Sequence, residues 1–399
     1  MNKSSESQKN DAEALAVLDS FLGVIRDSVK TALDRTSART PVERTLGVRH
    51  ILDKISLALA VRLHEADPLH PELTHIMHPH RKFGGDNMDA LYLTSPVDAG
   101  EVYRLYGNRG TVRSISFVVQ DKTPNFAGGI TASLLGKELV TDNNGDFEII
   151  IGGDRRSENW LDLKPNADRL IVRQFFGDWE NEKPMELMMD RLGRPVPPPS
   201  VSAEKMHEHI REAANLISNE VIFWEDLMDL FRKQPNRFLD FLDTVGGDIN
   251  ATPGGRPYSG FWSIPEDSAL VIRVTPPPVA EFWNLEFNNP WWETHDYRYR
   301  LTGTNLYYAQ LEDDGELIAV AAHDDPGVPN WLDTAGLTQG MTSFRWMGTD
   351  GSPEPSCILV KRNKLFDCLP ETIKTISPDQ RMMQIQGRRR GIYKRFGYL

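Results

Sequence analysis

Only two cysteines, Cys357 and Cys368, occur in 399 residues, too few for a disulfide framework, and a reducing compartment is the natural reading. Both read as plain thiols. No stretch approaches the roughly 18 uninterrupted apolar residues of a membrane-spanning helix, so no membrane partner is expected. Met1 to Asn10 is polar, and the apolar residues after it are broken by Asp19, Arg26 and Asp27, which is wrong for a secretory leader; the expected compartment is cytoplasmic. Basic charge is also short. Against 57 acidic residues stand 45 Lys and Arg, and the net charge of −12 argues against a nucleic-acid partner, because neutralising phosphates needs a basic face. Nucleotide signatures are missing as well: Gly136-Lys137 lacks the upstream glycine of a phosphate loop, and no G-x-G-x-x-G follows a strand-like run. Neither a G-x-S-x-G elbow nor a C-x-x-C pair is present. No cofactor is expected from these patterns.

What is present is a repeat. Asn159-Trp160-Leu161-Asp162 recurs as Asn330-Trp331-Leu332-Asp333, each preceded by a hairpin signal, Asp142-Asn143-Asn144-Gly145 and Glu312-Asp313-Asp314-Gly315. Arg173 and Arg345 follow the two tetrapeptides at nearly equal distances within strand-like runs. The same β module therefore occurs twice. Both tetrapeptides read as structural, with Trp packing and Asn or Asp capping a loop, and the paired arginines read as partners of a repeated acid such as Asp162 or Asp333.

Helical spacing places Leu15, Leu18, Leu22, Ile25 and Val29 on one stripe, and Val48, Leu52, Ile55, Leu59 and Leu63 on another that starts at Pro41; both helices are expected to cover a face of the β structure. From Asp89 the period changes to that of short strands. The expected fold is α+β, mainly β: two repeated antiparallel β-sandwich (jelly-roll-like) modules with N-terminal, central and C-terminal helices. The expected organisation is an N-terminal helical segment and His/Pro-rich loop (1–80), a first sandwich (81–183), a stiff Pro- and Met-rich linker with a helical segment (184–259), a second sandwich (260–369) and a basic C-terminal helix (370–399). In the second module, Ser268 to Ile272 is aligned with Asp89 to Leu93. The C-terminal helix reads as solvated and packed by Met382, Met383 and Ile385, with an acidic partner or homo-oligomer contact as the alternative.

Gly84-Gly85-Asp86-Asn87-Met88-Asp89-Ala90-Leu91-Tyr92, Tyr103 to Gly110, and Asp325-Pro326-Gly327-Val328-Pro329-Asn330-Trp331-Leu332-Asp333 resemble a bacterial family catalogued as domain of unknown function 1214. The resemblance covers roughly residues 80–180 and 260–365. It implies two related β-sandwich domains with helical additions, as in longer relatives that pair this region with domain of unknown function 1254. It carries over no catalytic residues.

Candidate chemistry lies in three places. His64, His70, His75, His78 and His80 crowd one Pro-rich stretch ahead of Asp86, so that His75, His78, His80 and Asp86 are candidates for a divalent metal, against a plain loop. The loop His323-Asp324-Asp325 to Asn330 offers a base, a carboxylate and an amide, with His323, Asp325 and Asn330 as candidate catalytic residues. The first copy has Gly152-Gly153-Asp154-Arg155-Arg156 there instead, so this asymmetry is the place to look for a single site. Nine tryptophans add an aromatic surface, from which Trp291, Trp292, Tyr297 and Tyr92 are candidate ligand contacts, with Arg345 for an anionic group. The expected function is a redox-cofactor-independent hydrolase, lyase or isomerase acting on an apolar or polyhydroxylated small molecule in an aromatic-lined cleft. The alternative is a non-catalytic protein binding a carbohydrate- or lipid-like ligand.

Overall fold

The computed structural model describes residues 3–35, 40–64, 67–123, 128–198, 200, 202–247, 252–275, 277, 279–349 and 353–397. The chain opens with helices α1 (Lys3–Arg35) and α2 (Pro41–Leu59), the second running on into a π-helical turn, Ala60–His64. Thr40 caps α2 reciprocally with Glu43, and Pro41 occupies the first turn, where its missing N–H costs nothing. Helix α1 begins well before the expected Ala12, while Met1 and Asn2 lie outside the described residues.

Nine strands then build the first module: β1 (Thr74–Met77), β2 (Ala90–Pro96), β3 (Tyr103–Asn108), β4 (Ser114–Asp121), β5 (Ile130–Leu135), β6 (Asp146–Ile151), β7 (Trp160–Leu161), β8 (Ala167–Phe175) and β9 (Glu186–Arg191). Helix α3 (Ala203–Arg232) follows as the expected helical segment. The second module comprises β10 (Leu239–Asp240), the short helix α4 (Phe241–Val245), β11 (Tyr258–Ser263), β12 (Ser268–Val274), β13 (Phe282–Phe287), β14 (Gly303–Asn305), β15 (Leu317–Ala322), β16 (Trp331–Asp333), β17 (Gln339–Met347) and β18 (Ser356–Lys361). Helix α5 (Pro378–Phe396) closes the chain behind a Ser377 capping box.

The duplication is explicit in the topology. The first module has sheets ordered β1-β2-β8-β4-β5 and β7-β6-β3-β9, the second β10-β11-β17-β13-β14 and β16-β15-β12-β18, so adding nine to each strand number converts one into the other. β6 pairs with β7, and β15 with β16, in parallel; the other pairings are antiparallel. The topology corrects the expected internal alignment. Ser268 to Ile272 lies in β12, the counterpart of β3 rather than of β2, and β11 is the strand that matches β2. The apolar runs at 90 and 268 look alike because both strands are buried on both faces, which removes the alternation that would distinguish them. Two segments read as connections are also strands. The His-rich stretch contains β1, and the linker contains β9, an edge strand whose Leu187 and Met189 face the first core while its other residues face solvent. Its neighbour Pro199 lies outside the described residues.

Side chains alternate between two destinations. On β8, Leu170 and Val172 enter the core of the first sandwich, while Ile171 and Phe175 enter a separate cluster shared by both modules and the helices. On β17, Phe344 and Trp346 enter the second sandwich core, whereas Met341 and Met347 join that same shared cluster. The five-stranded sheets thus each have one face in their own sandwich and the other at the junction, where α2 and α3 complete the packing.

The helices depart from expectation in two ways. Glu43, His50, Asp53 and Lys54 form the buried side of α2, whereas Val42, Val48 and Leu52 are exposed. The inward side meets a polar network: His50 Nδ1 contacts Glu293 at 2.6 Å, and Lys54 Nζ lies 3.9 Å over the Phe83 ring. Helix α5 is not a solvated cylinder packed by Met382 and Met383, both of which are exposed. It docks through Arg381, Arg388 and Arg395, spaced by seven residues on one face and all buried. Arg388 pairs with Asp89 and donates to the carbonyls of Met88 and Tyr297; Arg381 pairs with Asp325 at 2.8 Å. The acidic partners of the basic helix, Asp89, Glu180 and Asp325, lie in this chain.

Candidate functional site

Where the two modules and α3 meet, the shared cluster leaves a cavity of about 110 Å³. Tyr92 of β2, Ile171 and Arg173 of β8, Ser259 of β11, and Ser343 and Arg345 of β17 supply its sheet walls; Phe83, Trp224, Phe241 and Trp292 supply aromatic rings. Trp224 and Trp292 meet edge to face at 5.9 Å, and Phe83 meets Trp224 likewise at 5.5 Å. Gly84 is required here by space: a Cβ would lie 2.5 Å from the Trp224 ring. Trp292 holds a positive φ of 55°, uncommon for a bulky residue, and donates from Nε1 to Ser343 Oγ at 3.1 Å. A strained backbone persists only where its surroundings over-determine it. Thr252, Gly255 and Pro257 form a half-buried edge of the cavity.

The repeated arginines converge on this space. Strand register puts Arg173 opposite Ser116 of β4 and Arg345 opposite Asn284 of β13, in corresponding places of the two sheets. Their expected partners are elsewhere, with Asp162 beside Lys164 and Asp333 bonded to Arg300. Arg345 instead pairs with Glu286 and donates to the Gly85 carbonyl at 2.8 Å, tying the second module to the first. Burial pulls the Arg345 guanidinium down, but Glu286 more than offsets it and leaves it above its ordinary value. Two residues along β4 from Ser116, the first module carries Val118 where the second has Glu286. Burial pushes the Arg173 guanidinium down to about 10, opposed by Tyr92. The Tyr92 phenol is itself raised by burial against the pull of both arginines, and so stays a protonated donor.

The other candidates are dispersed. His323 donates from Nε2 to the Ile264 carbonyl at 3.1 Å, and its Nδ1 lies 3.1 Å from Thr334 Oγ1. Asp325 is turned to Arg381, and neither it nor His323 lines the cavity. Asn330 exchanges hydrogen bonds with the Gln310 backbone and donates to the Ile318 carbonyl; Asn159 makes the same set with Val140 and Glu148. These amides hold the repeated loop, as Trp160 and Trp331 do by donating to the carbonyls of Gly152 and Ala322. The asymmetry between Asp154 and Asp325 therefore serves the docking of α5. Of the aromatic candidates, Tyr92 and Trp292 line the cavity, together with Arg345. Trp291 faces the opposite way, stacked on His50 at 5.1 Å, and Tyr297 is buried beneath Lys82, whose Nζ is 3.8 Å from the ring centre. The two tryptophans sit in a turn, not a strand, and both are buried.

The metal candidates do not assemble. Asp86 accepts from the backbone N and Oγ1 of Thr294, His80 lies beside Arg298, and His78 is pushed down to about 3 by burial and Arg81. Burial and Arg81 lower His75 too. Among the described residues no group of three or more His, Cys, Asp or Glu side chains is placed to hold a metal ion.

Sequence reasoning missed Arg173, Trp224, Phe83 and Ser343 as cavity residues. The usable signal was the arginine repeat, because the two equivalent positions both line this cavity.

These features define a duplicated double-sandwich protein with a cavity at its internal junction. Residues 265–350, within the second module, match the family described as "Protein of unknown function (DUF1214)", the family that the sequence resembles. A crystal structure of an uncharacterized protein from Burkholderia cenocepacia is 29% identical, with 89% of this chain and 99% of that one aligned at a TM-score of 0.85. A Vibrio parahaemolyticus protein is more distant, at 13% identity over 77% of this chain and 96% of that one, with a TM-score of 0.45. Comparison with curated proteins gave no match. Among the described residues no helix is long and apolar enough to cross a membrane.

Proposed function

We propose that the protein binds a compact small molecule, an aromatic or branched apolar body carrying one carboxylate, in the cavity between its modules. The observation that carries this reading is the convergence of the duplicated Arg173 and Arg345 on a space walled by Phe83, Trp224, Phe241 and Trp292. A guanidinium fork matches a carboxylate bidentately, and the protonated Tyr92 phenol adds a donor. The size favours the small, branched end of this class, since the space of about 110 Å³ is below the roughly 150 Å³ that takes benzene. Polyhydroxylated ligands fit less well, because Phe83, Trp224, Phe241, Trp292 and further apolar side chains make up much of the lining.

The binding alternative is preferred to a hydrolase, lyase or isomerase on chemical grounds. A general base or activated nucleophile would be needed at the ligand, and the described lining contains no His, Asp, Glu, Lys or Cys. His323, Asp325 and Asn330 belong to structural contacts away from it.

Thermal unfolding with matched pairs of small aryl and alkyl carboxylates and their neutral amides tests the reading, since a ligand bound only by the native state raises its stability. The acids should raise the midpoint and the amides should not, and Arg173→Met should remove the difference. Equal shifts for acid and amide, or an acid effect that survives Arg173→Met, would defeat it.

A further inference from the structure

Each stripe expected to face the core is divided: Val29, Ile55 and Leu59 pack against the shared cluster, while other members face outward. On α1, Leu15, Leu18 and Leu22 are 62%, 46% and 59% exposed; on α2, Leu52 is 59% exposed, with Val42 and Val48 also on the outside. The helices form an antiparallel hairpin, with Arg44 of α2 donating to the Leu33 carbonyl of α1 at 3.3 Å. Leucines spaced by three and four residues on neighbouring helices form a seam, unlike the scattered single apolar residues ordinary on a monomer surface. The chain packs through other sides of these helices: α2 buries His50, Ile51, Lys54, Leu57 and Ala58, and α1 buries Val17, Ser28 and Ala32.

We infer that this outer face of the α1–α2 hairpin is the interface with a second copy of the same chain, the two α1 helices crossing antiparallel at Leu22. The occupant is indicated by charge. Asp19 and Arg26 lie seven residues apart on the exposed side of α1 and bracket Leu22. Seven residues are about two turns, so both charges point the same way, separated by roughly 10 Å along the axis. A twofold axis between them sets Asp19 of each copy against Arg26 of the other, twice, with the two Leu22 side chains meeting at the axis. This is the self-complementary pattern of an isologous contact. In the isolated chain Arg26 lies 3.7 Å from Asp27, both highly exposed, and exchanging such a contact costs little. A parallel arrangement would place like charges side by side.

Sedimentation velocity on the full chain at about 50 μM, a concentration that populates a micromolar dimer, should give twice the 45.2 kDa chain mass. Leu22→Asp should return the monomer mass with an unchanged circular dichroism spectrum, because that side chain is outside the fold. Asp19→Arg and Arg26→Asp should each weaken association at least about tenfold, by setting like charges together, and the double exchange Asp19→Arg/Arg26→Asp should restore it. A wild-type monomer at that concentration overturns the inference, including a monomer that instead floats with phosphatidylcholine vesicles. So does a dimer that survives Leu22→Asp. Additive loss in the double exchange would overturn the antiparallel register.

Discussion

The first and second modules share nine strands in one order, yet surround the same arginine differently. In the second, Glu286 reaches Arg345 from the neighbouring strand and makes a buried ion pair; in the first, Val118 holds the corresponding position beside Arg173. Duplication thus supplied two guanidinium groups at one junction, and a single difference between the strands made their electrostatic surroundings unequal. The other visible difference, Asp325 against Asp154, lies on the outside. Arg381 clasps Asp325, whereas Asp154 is almost fully exposed with Arg156 at 3.9 Å, so α5 anchors on one copy's loop and on the other copy's Asp89.

The largest break in this asymmetry is expected at the α5 anchors. Arg388→Met leaves Asp89 buried without its partner and should cost about 3–5 kcal/mol in denaturant unfolding, while Asp325→Asn, at the more open anchor, should cost about 1 kcal/mol or less. Equal losses would mean that the helix does not distinguish the modules.

Next come the loop amides. Asn159→Ala and Asn330→Ala each remove three hydrogen bonds in equivalent places, and each should cost about 2–3 kcal/mol. Similar values support a shared structural role; a small stability loss at Asn330 with strong loss of ligand response would point back to a functional one.

Val118→Glu makes the first module resemble the second. Placing a carboxylate beside Arg173 should reduce the affinity for an acid that binds in the cavity by about tenfold, or about 1.4 kcal/mol, read by titration calorimetry on protein whose near-ultraviolet spectrum is unchanged. Unaltered affinity would remove Arg173 from the ligand contact.

The smallest expected effect contrasts the polar side of α2 with the apolar junction. Burial, with Glu293, pushes the Asp53 carboxyl up to about 7. A raised acid favours the folded state when protonated, so its contribution is complete below the unfolded value near 4 and is lost as the pH climbs from there to about 7. Asp53→Asn should flatten stability across that window and stabilise the protein at pH 7.5 by on the order of 1 kcal/mol, allowing for solvent screening of a partly open group. An unchanged slope would place the titration elsewhere.

How far the sequence could be read depended on whether a pattern was local. The hairpins at Gly145 and Gly315, both with φ of 86°, were legible because positive φ has a short list of residues. The repeat around Asn159 and Asn330 was legible for the same reason. β9 was not, since Pro184 and the later prolines resemble a linker and an edge strand needs only one buried face. The orientation of α1 and α2 was misread because amphipathic spacing identifies two faces without saying which meets the protein. Of the candidate ligand contacts, Tyr92, Trp292 and Arg345 line the cavity whereas Trp291 and Tyr297 do not, since neighbours in a chain can serve different neighbours in space.

By itself, then, the sequence determined the repeated β module, the helical segments and the hairpins, all of which are written in short-range spacing. Only the tertiary structure decided that Arg173 and Arg345 share a cavity, that the basic α5 pairs with Asp89, Glu180 and Asp325 of its own chain, and that Leu15, Leu18, Leu22 and Leu52 are exposed. Each of those depends on which faces of distant segments are brought together, a choice made by the packing of sheets and helices that no local period records.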